Sequence, residues 1–197
     1  MFGLNLLLSV LILSFTQEPI YATAKATISN TENELYEMIM EYRAKKGLKK
    51  IPLSNALTVV AQAHCKDLTE QQPDLRKRCN AHSWSDQGSW KSCCYTPDHK
   101  TASCMWDKPK ELTSYKSEGF EIAAGSSEPT YSEFIMTPEY ALSSWKKSTH
   151  HNNVILNKGI WKSANWNAIG IGIKGGFACV WFGKITDPSG EPNRSTN

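Results

Sequence analysis

The strongest constraint on the fold lies near the end of the chain. Ile169, Ile171 and Ile173 alternate with Gly170 and Gly172, Gly175-Gly176 supply a turn, and the chain returns as Phe177-Ala-Cys-Val-Trp-Phe182. Period-two alternation, a two-glycine turn and an apolar return run together predict a β-hairpin. One face of that hairpin is richly apolar. The interleaved glycines leave the other face bare, which suits the close approach of a covering element.

Helical patterns upstream can supply such elements. Thr31 followed by Glu34 reads as a capping box, and Leu35, Met38, Ile39 and Tyr42 then recur at helical spacing until Gly47 stops the run. Arg43, Lys45 and Lys46 at its end read as solvated cations favoured near a helix C-terminus. Ser54 caps a second helix with Leu57, Val60, Ala61, His64 and Leu68 along one stripe, where His64 reads as a helix-face residue rather than a ligand. Thr137-Pro138 opens a third helix through Tyr140, Ala141, Leu142 and Trp145. From Gln71 to about Ser117 periodicity vanishes while Pro, Asp, Ser, Cys and Trp accumulate, so this is read as a long loop held by local packing and covalent ties. After Asp187-Pro188 the chain turns polar and reads as a flexible tail.

A length of 197 residues fits one domain. A formal charge of +3 and a pI near 8.5 lack the clustered basicity of a dedicated nucleic-acid binder, so no nucleic acid is expected as partner. Leu4 to Phe15 is apolar but shorter than the roughly 20 residues a spanning helix needs. With Ala22-Thr23-Ala24 behind it, the segment reads as a signal peptide cleaved after Ala24. The expected location is secreted or extracellular, or periplasmic in a bacterium, with no stable membrane insertion after cleavage; an uncleaved anchor is the rival.

Export makes the even set of six cysteines, Cys65, Cys79, Cys93, Cys94, Cys104 and Cys179, a disulfide framework. Adjacent Cys93 and Cys94 point in different directions on extended backbone and so take different partners. We expect Cys79, Cys93, Cys94 and Cys104 to pair among themselves and Cys65 to staple helix to strand through Cys179. The competing reading is a structural metal site, since Cys79 and His82 have C-x-x-H spacing with His99 close behind.

No serine-hydrolase elbow, HExxH, Walker loop or dinucleotide fingerprint occurs. What remains is His82 within Asn80 to Asp86, Glu121 within Gly119 to Ala123, and the His150-His151 pair after the third helix. Two imidazoles and a carboxylate can hold a divalent metal or shuttle a proton, although each alone is a common turn or cap partner.

In order, several segments resemble the CAP superfamily (cysteine-rich secretory proteins, antigen 5 and pathogenesis-related 1 proteins; the SCP domain), most of all its prokaryotic-type branch. They are Glu41 to Leu48, Pro52 to Leu57, Ala61-Gln-Ala-His64, Ala81-His-Ser-Trp84, Gly119 to Ala123, Trp145 before Ser148, His151 before Ile155-Leu156, Ala168 to Gly172 and Val180 to Gly183. The resemblance implies an α+β fold, a three-layer α/β/α sandwich with a central, largely antiparallel sheet and long disulfide-tied loops. With the signal peptide at 1–24, a leader at 25–33 and the polar tail at 188–197, the domain is expected at 34–187. The resemblance also implies a cleft tetrad of two His and two Glu, sometimes metal-loaded. His82 and His151 match its histidines as candidate metal ligands, with Ser83, Trp84 and Ser148 as cleft neighbours; His150 is passed over. The family's first glutamate finds only Glu121, the candidate general base, displaced by one residue. On a strand, that shift turns a side chain to the opposite face unless a bulge restores it. Ser148 stands where the second glutamate belongs. The expectation is therefore a binding or effector module for a small ligand or extracellular partner, holding weak, exchangeable zinc at most, rather than an enzyme. A metal-dependent hydrolase using His82 and His151, and a lipid or sterol carrier, are the alternatives.

Overall fold

The computed structural model describes residues 25–196; the expected signal peptide and its cleavage point lie outside the described residues. The hairpin forms as read, with β3 (Ala168–Lys174) and β4 (Phe177–Gly183) antiparallel. β2 (Gly119–Ala124) pairs antiparallel on the other side of β4, giving the order β2-β4-β3. The register aligns Phe120, Phe182 and Ile169 in one row and Ile122, Val180 and Ile171 in the next. This apolar face packs against α1 (Asn30–Ala44) and α5 (Pro138–Lys147) through Leu35, Ile39, Leu142 and Trp145. Trp145 Nε1 also donates to Ala123 O at 3.0 Å, tying α5 to β2.

The opposite face carries Glu121, Trp181 and Gly170 in one row and Ala123, Cys179 and Gly172 in the next. α2 (Asn55–Gln71) lies on the two glycines. A Cβ on Gly170 would stand 2.0 Å from the Leu57 carbonyl carbon, and one on Gly172 2.4 Å from that of Ala61. The result is the expected three-layer α/β/α arrangement of an α+β fold.

The long segment after α2 is less irregular than it reads. Two short helices interrupt it, α3 (Ala102–Trp106) and α4 (Lys108–Leu112), and Trp84 forms an antiparallel bridge with Cys93. Disulfides Cys79–Cys94 and Cys93–Cys104 staple it, so the four loop cysteines pair among themselves and neighbouring Cys93 and Cys94 take separate partners. That pairing also excludes the structural metal site built on Cys79.

Four expectations are corrected. α1 is capped by the box Ser29/Glu32 rather than Thr31/Glu34, because β1 (Thr27–Ile28) ends immediately before it and Glu32 bonds both Ser29 N and Ile173 N. Arg43 is not a solvated cation: it is 4% exposed and donates to the carbonyls of Lys49 and Ile155 and to Asn157, while burial lowers its guanidinium to about 10. The tail is tied down by β5 (Asn193–Arg194), which pairs parallel with β1, and by a bond from Asn55 N to Gly190 O.

The fourth correction concerns Cys65 and Cys179, which are both buried and free. Cys65 Sγ donates to Gly172 O at 3.2 Å. Burial, the Cys65 neighbour and Glu121 push the Cys179 thiol well above its usual range. Disulfide exchange needs a thiolate, and this environment withholds it. A thiol-specific reagent is expected to find no reactive thiol in the folded protein and two after denaturation; a chain mass corresponding to three disulfides would restore the staple.

Candidate functional site

α2 organises the site from beneath. Its His64 belongs to the buried apolar stripe, and a histidine there needs buried partners. Nε2 faces Ser83 O at 3.0 Å and Nδ1 faces Glu121 Oε1 at 2.5 Å. One turn on, Asp67 accepts from Ser85 N at 2.7 Å. These two grips hold residues 83–85 on α2 and so position the preceding residue, His82. Trp84, fully buried, stacks on His64 with ring centroids 4.2 Å apart and planes 5° from parallel.

The other Glu121 oxygen, Oε2, lies 2.8 Å from His82 Nδ1, so one buried carboxylate bridges two imidazoles. Burial pushes the carboxyl up, but the His64 charge and the hydrogen bonds from both rings outweigh it and hold Glu121 at about 2. Hydrogen-bond logic agrees. Ser83 O can only accept, so His64 carries a proton on Nε2; an ionised Glu121 can only accept, so Nδ1 carries one as well. His64 and Glu121 thus form a buried imidazolium–carboxylate pair, with the cation against the Trp84 face.

Donating from Nδ1 to Glu121 leaves His82 Nε2 as the lone-pair nitrogen. His151 stands opposite, its ring centroid 6.2 Å from that of His82. It is carried on α6 (Thr149–Ile155), a short helix separate from α5. Burial first, then the neighbouring His82 and His150, lower the His151 imidazole to about 4 against an opposing pull from Glu121, so it is neutral near pH 7.

Both rings open into a cleft of about 610 Å³, whose polar end also presents Glu121, His99 and His150. The remaining wall is mostly apolar, with Met105, Trp106, Phe120, Val154 and Trp161 among its residues. Phe120 joins Trp106, Trp161 and Trp166 in one aromatic cluster, at centroid distances of 5.6, 4.9 and 5.7 Å.

The structure therefore brings His82, His151 and Glu121 together. The one-residue displacement of Glu121 does turn it away from the face that Phe120 occupies, and the β2 register shows no bulge. It reaches the cleft nonetheless, because β2 is an edge strand and the cleft wraps that edge, taking residues from both faces. The expected cleft neighbours are placed otherwise. Ser83 and Trp84 are buried beneath the cleft, and Ser148 is the residue before α6, outside the cleft wall. His150, passed over in the sequence, also lines the cleft. His64 was the residue missed. Its signal was a histidine within an apolar stripe and a single carboxylate within an apolar strand, each in need of a buried partner.

His64 Nδ1, Glu121 and Cys179 Sγ also lie within 4.8 Å of one another, a grouping that can hold a metal. Its lone pairs are already committed: both Glu121 oxygens are hydrogen-bonded, and the Cys179 thiol is held protonated.

No protein-family model and no curated protein matches the sequence. Among solved structures, an outer surface protein of Borrelia burgdorferi superposes with a TM-score of 0.52 at 17% identity, over 82% of this chain and 97% of that one. An extracellular protein containing an SCP domain from Bacillus anthracis gives 0.50 at 15% identity, over 79% of this chain and 40% of that one. This chain has the SCP-domain fold. The fold implied by the sequence resemblance is the fold found.

Proposed function

We propose that this is an exported CAP-superfamily protein of prokaryotic type, working as a binding module rather than a catalyst. The observation that carries this reading is the cleft itself. At one end His82, fixed by a buried carboxylate, faces a neutral His151; the rest is an aromatic and aliphatic wall. Such a cavity suits a small ligand with an apolar body and one polar or anionic end. A lipid or sterol is one form of that ligand. Among the described residues no helix is long and apolar enough to cross a membrane.

The same geometry weighs against hydrolysis. A general base needs a free carboxylate, and Glu121 has both oxygens engaged by imidazoles. The second acid of the family pattern is missing, its place taken by Ser148. A zinc ion fits the donor set only as a weakly held, exchangeable guest: two imidazoles are fewer than the three protein ligands of catalytic zinc sites. When bound, it supplies a positive charge at the polar end of the cleft. Glu121 orients His82 for that task, as carboxylates behind ligating histidines do.

Zinc titration by calorimetry tests the reading. His82→Ala and His151→Ala are each expected to weaken binding by at least about tenfold, in the range of a lost ligand or its support, and His150→Ala to leave it nearly intact. Protonation of His151 removes a ligand only near pH 4, so the part of the affinity that depends on this residue persists below pH 6.5. Zinc binding unchanged in the His82→Ala/His151→Ala double variant would refute the site. Weakened binding of an apolar fluorophore by Phe120→Ala or Trp161→Ala reports separately on the apolar end.

A further inference from the structure

The connection from α6 to β3 reads Lys158-Gly-Ile-Trp-Lys162, with a 3-10 turn over Gly159–Trp161 at the mouth of the cleft. Ile160 on this turn is 87% exposed, more than any other large apolar side chain among the described residues. It is not an isolated surface residue: Trp161 beside it packs on Phe120 at 4.9 Å, within the cleft wall. Exposed Lys158 and Lys162 bracket the turn. Lys184 shares a groove with Ile160 and Trp161, and its Nζ lies 4.6 Å from the Phe120 ring centre.

From Tyr140 to Thr186 the chain has six lysines and no Asp or Glu. Near that end Lys110 is paired with Asp107 at 2.5 Å, with Glu118 a weaker influence on it, whereas Lys158, Lys162 and Lys184 have no ion-pair partner among the described residues. The rim therefore keeps its positive sign. A large aliphatic tip held out in water and ringed by ammonium groups matches one surface in particular. The apolar tip enters the acyl boundary, while the lysines remain among the headgroup phosphates.

We infer that the Lys158–Lys162 turn, together with Lys184, docks the cleft mouth on an anionic lipid bilayer. Docking in this orientation turns the opening toward the membrane, so an apolar ligand passes between bilayer and cleft without crossing water. The inference is independent of which ligand the cleft holds.

The test uses residues 25–197, the chain expected after cleavage behind Ala24, because the apolar stretch from Leu4 to Phe15 would itself bind lipid. Co-sedimentation is measured with phosphatidylcholine vesicles, with and without phosphatidylglycerol. Binding is expected only to the anionic vesicles and is expected to weaken as salt is added. Ile160→Asp, a change in solvent that leaves the fold intact, should reduce it at least about tenfold. Lys158→Ser/Lys162→Ser should reduce it about thirtyfold, the sum expected of two lysines at such a surface. Lys66→Ser/Lys174→Ser, at the opposite end of the sheet, should behave as wild type. Equal binding to both vesicle types, no binding, or wild-type behaviour of the rim variants overturns the inference. So does loss of binding in the lysine variant alone, which would mark a site for a soluble polyanion. Cleft binding measured without vesicles is expected to survive Lys158→Ser/Lys162→Ser, since neither lysine lines the cleft, so failure of docking and failure of the cleft reading are distinguishable.

Discussion

Gly170→Ala is expected to destabilise the protein by about 3–5 kcal/mol, at the upper end of single-site effects. The added Cβ would meet the Leu57 carbonyl carbon at 2.0 Å, its oxygen at 2.3 Å and Thr58 N at 2.3 Å. These are backbone atoms of α2 and cannot rotate aside, so the helix must lift from the sheet. Lifting α2 loosens the packing of Leu57, Val60 and Ala61 and draws His64 away from Glu121. The variant should therefore lose zinc affinity along with stability. Gly47→Ala is the control: its φ of +73° carries strain, but nothing lies within 4 Å of the new methyl, and a loss near 1 kcal/mol is expected. Urea unfolding followed by tryptophan fluorescence measures both. A Gly170→Ala midpoint as close to wild type as that of the control would show that α2 does not rest on the glycines.

The second large effect is expected at Glu121. Glu121→Gln preserves shape but replaces an acceptor-only group with an amide, whose NH₂ opposes an imidazole N–H. One buried donor loses its partner and the His64 cation loses its counter-charge, at a cost of about 3–5 kcal/mol. The pH dependence carries the distinguishing sign. Because its folded value is lowered from 4.5 to about 2, Glu121 stabilises the fold fully above pH 4.5, and that contribution is lost as pH falls toward 2. The loss in wild type amounts to about 3 kcal/mol, and the Gln variant should lack it. Released from its carboxylate, the His82 ring should also bind zinc about 10- to 100-fold more weakly. If Glu121→Gln matches wild type in stability at pH 7 and below pH 4.5, Glu121 is not the buried bridge described.

The two effects share a cause, the seating of one helix on a strip of glycine. That seating joins the fold to the site: α2 holds residues 83–85 through His64 and Asp67, and His82 follows from their position.

Much of this was written in local pattern. Alternation before Gly175-Gly176 and an apolar run after it specified the hairpin, and the bare stripe at Gly170 and Gly172 specified that something must cover it closely. Ser54 and Thr137 marked helix starts that the structure keeps, and the crowding of cysteines marked a tied loop. Each is a short-range property, set by backbone sterics and side-chain period within a few residues. What only the tertiary structure decided depends on which distant groups meet. The helix cap moved to Ser29 because a strand ends there; Arg43 was buried against the Ile155 carbonyl, 112 residues away; Cys179 met a buried carboxylate that helps keep its thiol protonated. Glu121 reached the cleft because pairing order left β2 at the sheet edge, and His64 found its partner 57 residues on. Sequence period fixes which face a side chain takes, whereas strand order and helix docking fix what that face meets.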